Sequence, residues 1–292
     1  MEWQQLEYFR TVAQIQHVTQ AAKKLSISQP ALSRAIARLE EELGVPLFDR
    51  QGRSVQLNAY GKIFLDRVQQ ALVQIEEGKK EIRDRIDPDQ GVISLAFLHT
   101  FGTNFIPEIL GEYRRINPYV RFQLTQNSFS YLLQQLESGE VDLCMISPKV
   151  DKKGIRWESL MTEELYLVVP QGHRLSDRDQ VSLEEVAGDS FISLKEGFGL
   201  RTITDQLCEQ AGFLPDITFE GEEVTTIAGL VSAGLGVSVM PVVKGIDFEN
   251  TVLIPVSTPI CRREIGMAWM ENRYMSPVVH RFKEFVLDFF RN

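Results

Sequence analysis

The segment Thr19-Gln-Ala-Ala-Lys-Lys-Leu-Ser-Ile-Ser-Gln-Pro-Ala-Leu-Ser-Arg-Ala-Ile-Ala-Arg-Leu-Glu-Glu-Glu-Leu-Gly44 decides how the rest of this 292-residue chain is read. Thr19 is a candidate N-cap, and Ala21-Ala22-Lys23-Lys24-Leu25 follows as a short helix whose small alanines permit close packing. Ser26-Ile27 marks a turn. Ser28 is a second N-cap candidate, with Pro30 in the first turn, where its missing N–H does no harm. The helix it opens runs to about Leu43, where Gly44 and Pro46 stop it. Ile27, Leu32, Ile36, Leu39 and Leu43 share the inner face, and Ser28, Gln29, Ser33, Arg34 and Arg38 share the outer one. Two short helices joined by a tight turn form a helix-turn-helix. The second can enter a major groove about 12 Å wide with its first residues at base edges. There Gln29 can pair with adenine, Arg34 with guanine or phosphate, and Ser33 with either, while free helix-start N–H groups take a phosphate. Val18, Thr19, Lys23 and Pro30 complete the candidate DNA-facing set. Three-helix cores without any DNA role share this pattern, so the neighbouring segments must decide.

Upstream, Trp3, Leu6, Phe9, Val12 and Ala13 recur at the spacing of an amphipathic helix. Downstream, Leu47-Phe48-Asp49-Arg50 and Ser54-Val55-Gln56-Leu57 are short strands around Gln51-Gly52-Arg53. A hairpin directly after a recognition helix is a wing, and Arg50 and Arg53 can reach phosphates or a minor groove. Asn58 then caps a helix from Ala59 to about residue 87, roughly 40 Å long at 1.5 Å per residue. Phe64, Val68, Ala71, Ile75 and Ile82 mark a heptad stripe along it, with Gly78 in the missing seam position. So long a stripe is expected to pair with the same helix of a second copy, the alternative being cover by the chain's own carboxyl-terminal domain. Asp87-Pro88-Asp89-Gln90-Gly91 reads as a hinge.

The Thr19–Gly44 segment resembles the DNA-binding segment of the LysR-type transcriptional regulators. Val45-Pro-Leu-Phe-Asp-Arg50, Arg53 and Leu57 through Gly61 continue the likeness. Asn58 departs from it, standing where that family more often has threonine, although both residues cap helices.

The remaining two hundred residues alternate strands and helices. Strand candidates are Val92–Phe97, Tyr119–Leu124, Val141–Ile146, Leu165–Val169, Phe191–Leu194, Ile217–Phe219, a strand after Gly234-Leu-Gly236, and Ile265–Trp269. Helix candidates are Ile106–Ile116, a segment containing Leu132–Leu136, Arg201–Ala211, Val224–Ala233 and His280–Phe290. Such alternation argues two α/β lobes with mainly parallel sheets. The late strand implies that the chain crosses between lobes twice. This half resembles the two-lobed, type II periplasmic-binding-protein-like effector domain of the same regulators, most clearly at Gly139–Asp142 and Gly234–Pro241. The whole is therefore expected to be an α/β multidomain chain. It comprises a winged helix-turn-helix over 1–58, a linker helix over 59–87, a hinge over 88–91, one lobe over 92–163 and 267–292, and a second over 164–266.

Ligands of open α/β sheets bind beyond the carboxyl ends of strands, where helix N-termini carry free N–H groups. Thr100, Thr103, Asn127, Ser128, Ser147, Phe198, Gly199, Arg201 and Thr225 fall there and are the candidate effector-binding residues. The resemblance implies effector contact at Thr100, Ser128 and Phe198, whereas a bare hydroxyl at a helix start serves equally well as a cap. Arg201 opposes the dipole of its own helix and needs a partner, either Glu196 or an effector carboxylate.

Net charge is −9, but residues 1–90 hold 13 basic and 13 acidic side chains, so the excess lies entirely in the second part. Between Tyr8 and Leu39 there are five basic residues and no acidic one, which leaves either a DNA-steering field or a solvated basic face. Cys144, Cys208 and Cys261 lie far apart in no metal-like spacing. There is no His-Glu-x-x-His, no Gly-x-Ser-x-Gly and no phosphate-binding Gly-Lys loop, and His99 has no evident acid partner. Without a signal-like start or a long apolar run, a cytoplasmic, cofactor-free regulator is expected in place of an enzyme or an exported receptor. Its expected partners are double-stranded DNA, a small anionic effector, RNA polymerase and further copies of itself, as a dimer through the linker helix and as a tetramer through the effector domains.

Overall fold

The computed structural model describes residues 1–51, 54–86, 91–103, 105–245 and 250–291, without the side chains of 50, 51, 80 and 83–86. It divides into two compact units, Met1–Lys80 and Glu81–Asn292.

The first unit opens with α1 (Trp3–Ile15), α2 (Val18–Lys24) and α3 (Gln29–Leu43). The hairpin β1 (Phe48–Gln51) and β2 (Ser54–Leu57) follows, and α4 (Ala59–Ile86) leaves the unit. Phe9 is fully buried, and its ring packs on Phe48 at 5.4 Å and on Phe64 at 5.2 Å. It thereby ties α1 to the hairpin and to α4, a burial worth about 1.5–3 kcal/mol. Leu32 and Leu39 on the expected inner face of α3 are also fully buried. The Ser28 hydroxyl accepts from the Ala31 N–H at 3.4 Å, and Gly44 ends the helix at φ 73°, where a Cβ would be strained. Thr19 does not cap α2. Gln16 turns the chain at φ 53° and α2 begins at Val18, with His17 in the cap position and Thr19 inside the first turn.

Asn58 does cap α4: its Oδ1 accepts from Gly61 N–H at 2.9 Å, and its Nδ2 donates to the Pro46 carbonyl at 2.8 Å. The heptad stripe, however, divides in two. Val68 is 3% exposed and Phe64 packs on Phe9, so both belong to the core of this unit together with Leu72. The free part of the helix surface carries Tyr60, Ile63, Ala71, Ile75 and Ile82, all exposed. The expected hinge at 88–91 lies, apart from Gly91, outside the described residues.

In the second unit, β3 (Val92–Phe97), α5 (Phe105–Ile116), β4 (Arg121–Gln126), α6 (Phe129–Ser138), β5 (Leu143–Ile146) and β6 (Ile155–Glu164) build the first lobe. The chain crosses to β7 (Tyr166–Pro170), β8 (Val181–Ser182), β9 (Ser190–Leu194), α7 (Gly199–Gln210), β10 (Asp216–Gly221), α8 (Val224–Ser232), β11 (Ser238–Met240) and β12 (Thr251–Thr258). It then returns as β13 (Arg262–Met270) and α9 (Pro277–Arg291). The first sheet has the order β4-β3-β5-β13-β6, with β3 parallel to both of its neighbours and β13 antiparallel to both of its own. In the second lobe β9 pairs in parallel with β10 and bridges Val237, beside the β11-β7-β12-β8 sheet. Each lobe has its own buried core.

The return strand corrects the expected lobe boundary. All of β13 pairs in the first sheet, from Arg262 opposite Glu164 to Met270 opposite Ile155, so the boundary at 266/267 would cut through it. The two crossings lie side by side, where Leu165 N–H donates to the Cys261 carbonyl at 2.9 Å. The sequence pattern also passed over β6 and β12. β6 buries only part of one face and carries charges on the other, so it lacks a continuous apolar run. Among the described residues, no helix is long and apolar enough to cross a membrane.

Candidate functional sites: a basic helix-turn-helix face and an interlobe cleft

On the first unit, Thr19, Lys23, Ser28, Gln29, Pro30, Arg34 and Arg38 are exposed, and Val18 and Ser33 are half-buried. They lie on α2 and the outward side of α3, as the periodicity requires. Gln29 Nε2 donates to Ser33 Oγ at 2.9 Å, which orders both side chains at the start of α3. Thr19, Gln29 and Ser33 share an open groove with Ser54 and Val55 of the wing. Glu40 closes its far end, its Oε1 accepting from the N–H groups of Leu47 (2.7 Å) and Phe48 (3.3 Å) and so fixing the wing to α3. Among the described residues, Lys23, Arg34 and Arg38 have no ion-pair partner, leaving their charges available to a polyanion. The side chain of Arg50 and the whole of Arg53 lie outside the described residues.

On the second unit, the lobes repeat one connection. β3-α5-β4-α6-β5 and β9-α7-β10-α8-β11 each place the first strand between the other two. The carboxyl ends of both sets meet at a small cavity. Leu98, His99 and Thr100 line it after β3, and Asn127 after β4. Leu194, Phe198, Gly199 and Leu200 line it after β9, Glu222 and Val224 after β10, and Arg263 from β13. At about 20 Å³ it has room for about one water, so a metabolite needs the walls to part.

The expected effector residues sort accordingly. Thr100, Asn127, Phe198 and Gly199 line the cavity. Asn127 Oδ1 accepts from Ser128 N–H at 2.8 Å, and Ser128 precedes α6 in the cap position without a side-chain cap bond. Ser128, Thr103 and Thr225 are not among the lining residues, the latter two being exposed. Ser147 is fully buried, and its Oγ has no hydrogen-bond partner among the described residues. Arg201 is committed elsewhere: its guanidinium bonds Asp205 at 2.8 Å, Glu220 at 2.5 Å and the Leu194 carbonyl at 3.1 Å. Burial alone would lower its pKa, but the bonds to Glu220 and Asp205 outweigh that and hold it above its ordinary value. Its partners are therefore one carboxylate a helical turn on and another from β10, not the expected Glu196.

Arg263 was not expected. It is 3% exposed, and its Nε donates to Glu163 Oε2 at 2.6 Å while Nη2 donates to Thr100 Oγ1 at 3.0 Å. The Phe101 ring lies 5.3 Å from its guanidinium carbon. Burial, the largest influence, pulls its pKa down, and Glu163 opposes this. The alternation Cys261, Arg263, Ile265, Met267 was the available signal, since every second residue of a strand shares one face. His99 also gains the acid partner that the sequence did not reveal: Glu223 of the opposite lobe, 2.9 Å from Nδ1. Ser130 N–H and Oγ both reach the Gly197 carbonyl, at 3.2 and 3.3 Å, and Gly199 packs against the Ser147 carbonyl. These contacts hold the lobes together over the cavity.

Residues 3–62 match the family model described as "Bacterial regulatory helix-turn-helix protein, lysR family", and residues 87–291 match "LysR substrate binding domain". The HTH-type transcriptional regulator YybE of Bacillus subtilis is 52% identical over 290 residues, covering 99% of each chain. The transcriptional dual regulator GltC of the same organism is 37% identical over 293 residues, covering 99% of this chain and 98% of that one. The effector-binding domain of QuiR, solved in complex with shikimate, is 28% identical with a TM-score of 0.66, covering 69% of this chain and 98% of that one.

Proposed function

Because this chain belongs to the LysR family of DNA-binding transcriptional regulators, with an effector-binding domain after its helix-turn-helix, we propose that it activates transcription in response to a small anionic metabolite bound between its lobes. Its relatives are transcriptional regulators, and the chain is not an enzyme. The observation that carries the DNA half is the run of exposed cations Lys23, Arg34 and Arg38, without ion-pair partners among the described residues, beside the ordered Gln29–Ser33 pair. Two observations support the anionic effector. The helix α7 starts at the cavity, with Gly199 and Leu200 in its wall, and turns its partial positive charge toward it. The QuiR domain, moreover, holds a carboxylate, shikimate.

In this reading α4 pairs two subunits in the cytoplasm through the exposed stripe of Ala71, Ile75 and Ile82, and effector domains pair further into a tetramer. The winged modules grip spaced half-sites and bend the DNA between them. An effector that prefers one lobe arrangement over another shifts the population toward it, and with it the spacing of the DNA heads and their contact with RNA polymerase.

The test is a binding titration of the purified protein on the DNA immediately upstream of its own coding region, against random DNA, at two salt concentrations. A preference of roughly a thousandfold or more for the upstream DNA is expected. Equal, salt-sensitive affinity for both overturns regulation at that site, and no affinity for either overturns the DNA-binding half altogether.

A further inference from the structure

Among the described residues, Arg263 is the only charged residue that the fold buries, at 3% exposed. Taking a guanidinium out of water is costly unless its donors are met, and an apolar side chain would fill a strand position in a core more cheaply. Here the donors are met on one side only. Glu163 takes Nε and Nη2, each at 2.6 Å, and Thr100 takes Nη2 at 3.0 Å. Nη1 has no hydrogen-bond partner among the described residues, and Arg263 forms part of the cavity wall. Two N–H donors thus remain unmet on a positive residue of the cavity wall. The Thr100 hydroxyl accepts from Arg263, so its own proton is left to donate. Asn127 uses its Oδ1 on Ser128, which leaves its Nδ2 donors.

The opposite wall has the reverse character. Glu222 lines the cavity from the second lobe, with Lys195 bound to its Oε1 at 2.7 Å, and Glu223 stands next to it against His99. A second anionic group on a ligand would face these carboxylates, whereas a hydroxyl or amine would be accepted by them. Leu98, Leu194, Phe198, Leu200 and Val224 make the rest of the wall apolar.

We propose that Arg263, with Thr100 and Asn127 beside it, receives the carboxylate of the effector, and that the effector is a compact monocarboxylate whose far end donates hydrogen bonds to Glu222. This rests on the reading of the interlobe cleft as the effector site. Glu163 is the standing counter-ion of Arg263, so the guanidinium is balanced when the cleft holds no ligand. The incoming carboxylate then meets a planar donor group already held in orientation.

The experiment is calorimetric titration of the full-length protein with shikimate, quinate, gluconate and L-glutamine, each beside its methyl ester. Citrate, 2-oxoglutarate and inorganic phosphate serve as polyanionic probes and glucose as a neutral one. At least one monocarboxylate is expected to bind, with its ester weaker by at least about thirtyfold. Arg263→Gln is expected to lose that acid by a similar factor, and Arg263→Lys to fall between. Because Arg263→Gln leaves the half-buried Glu163 without its cation, the double variant Glu163→Gln with Arg263→Gln is measured too. It is expected to fold by circular dichroism and still to lose the acid. Equal binding of acid and ester, undiminished binding by the folded double variant, or binding of polyanions or glucose in place of monocarboxylates overturns the proposal while leaving a ligand-responsive cleft. Binding of no compound in the set overturns the metabolite-responsive reading of the cleft and this proposal with it.

Discussion

In the proposed function, Arg34 and Thr100 represent the DNA-binding and effector-binding halves at the level of single side chains. Arg34 is exposed on the outer face of α3 and free of ion pairs among the described residues. If it reads a base, Arg34→Ala costs about 1–3 kcal/mol on the specific site, measured by titration against matched and random DNA. A loss equal on all DNA, with a shallower salt dependence, makes it a phosphate contact instead. Thr100→Val removes the acceptor of a buried guanidinium N–H, which costs about 1–3 kcal/mol of stability by denaturant unfolding. It is also expected to weaken the transcriptional response to effector, and an unchanged response would take Thr100 out of the site. The cysteines stand apart from both halves. All three are buried, and burial raises the pKa of the Cys144 thiol and pushes Cys208 and Cys261 up to about 12. A thiol reacts as thiolate, so none should titrate with Ellman's reagent at pH 8 until the protein is unfolded. Rapid labelling of the native protein would contradict that burial.

At the scale of elements, α4 has two apolar faces where the sequence offers a single stripe. Heptad spacing places Phe64, Val68, Ala71, Ile75 and Ile82 together, but it does not say which neighbour covers which part. The helical rows at 64, 68 and 72 belong to the core around Phe9, while Ala71, Ile75 and Ile82 stay exposed. Leu72→Ala is therefore expected to destabilise the folded unit by about 2–5 kcal/mol in thermal or denaturant unfolding. Ile75→Glu combined with Ile82→Glu is expected to leave that unit folded and to reduce the tetramer to dimers held by the effector domains in analytical ultracentrifugation. Tetramers that persist in the double variant would move the contact off this helix. The start of α2 belongs to the same scale: Thr19 has the right side chain for a cap, but the left-handed turn at Gln16 begins the helix one residue before it.

Across the effector domain as a whole, the narrowness of the cavity and the contacts around it define one closed arrangement of the lobes. Gly199 stands at the tightest point, where a Cβ would collide with the Ser147 carbonyl of the other lobe. Backbone cannot yield as a flexible side-chain end does, so Gly199→Ala should keep the lobes apart. The expected result is a larger radius of gyration in small-angle scattering and loss of any ligand-induced rise in unfolding temperature. A variant that closes and responds like the wild type would show that the lobes meet differently.

The local, repeating features were legible in the residue order alone: the helix-turn-helix, its Ser28 and Asn58 caps, the Gly44 stop, the α/β alternation and most strand positions. These follow from periodicity and from side chains that act within three or four residues of themselves, so they are legible one segment at a time. The outward placement of Lys23, Arg34 and Arg38 follows for the same reason. Features that depend on residues distant along the chain emerged with the folded arrangement. It set the burial of one face of α4, the return of β13 into the first sheet, the partners of Arg201, and the pairing of His99 with Glu223. Arg263 is the clearest case: alternation could place it inward, but only folding brings Glu163, Thr100 and Phe101 to it and leaves one of its nitrogens beside the cleft. The energy of a buried charge depends on what surrounds it in space, and a linear pattern does not contain that neighbourhood.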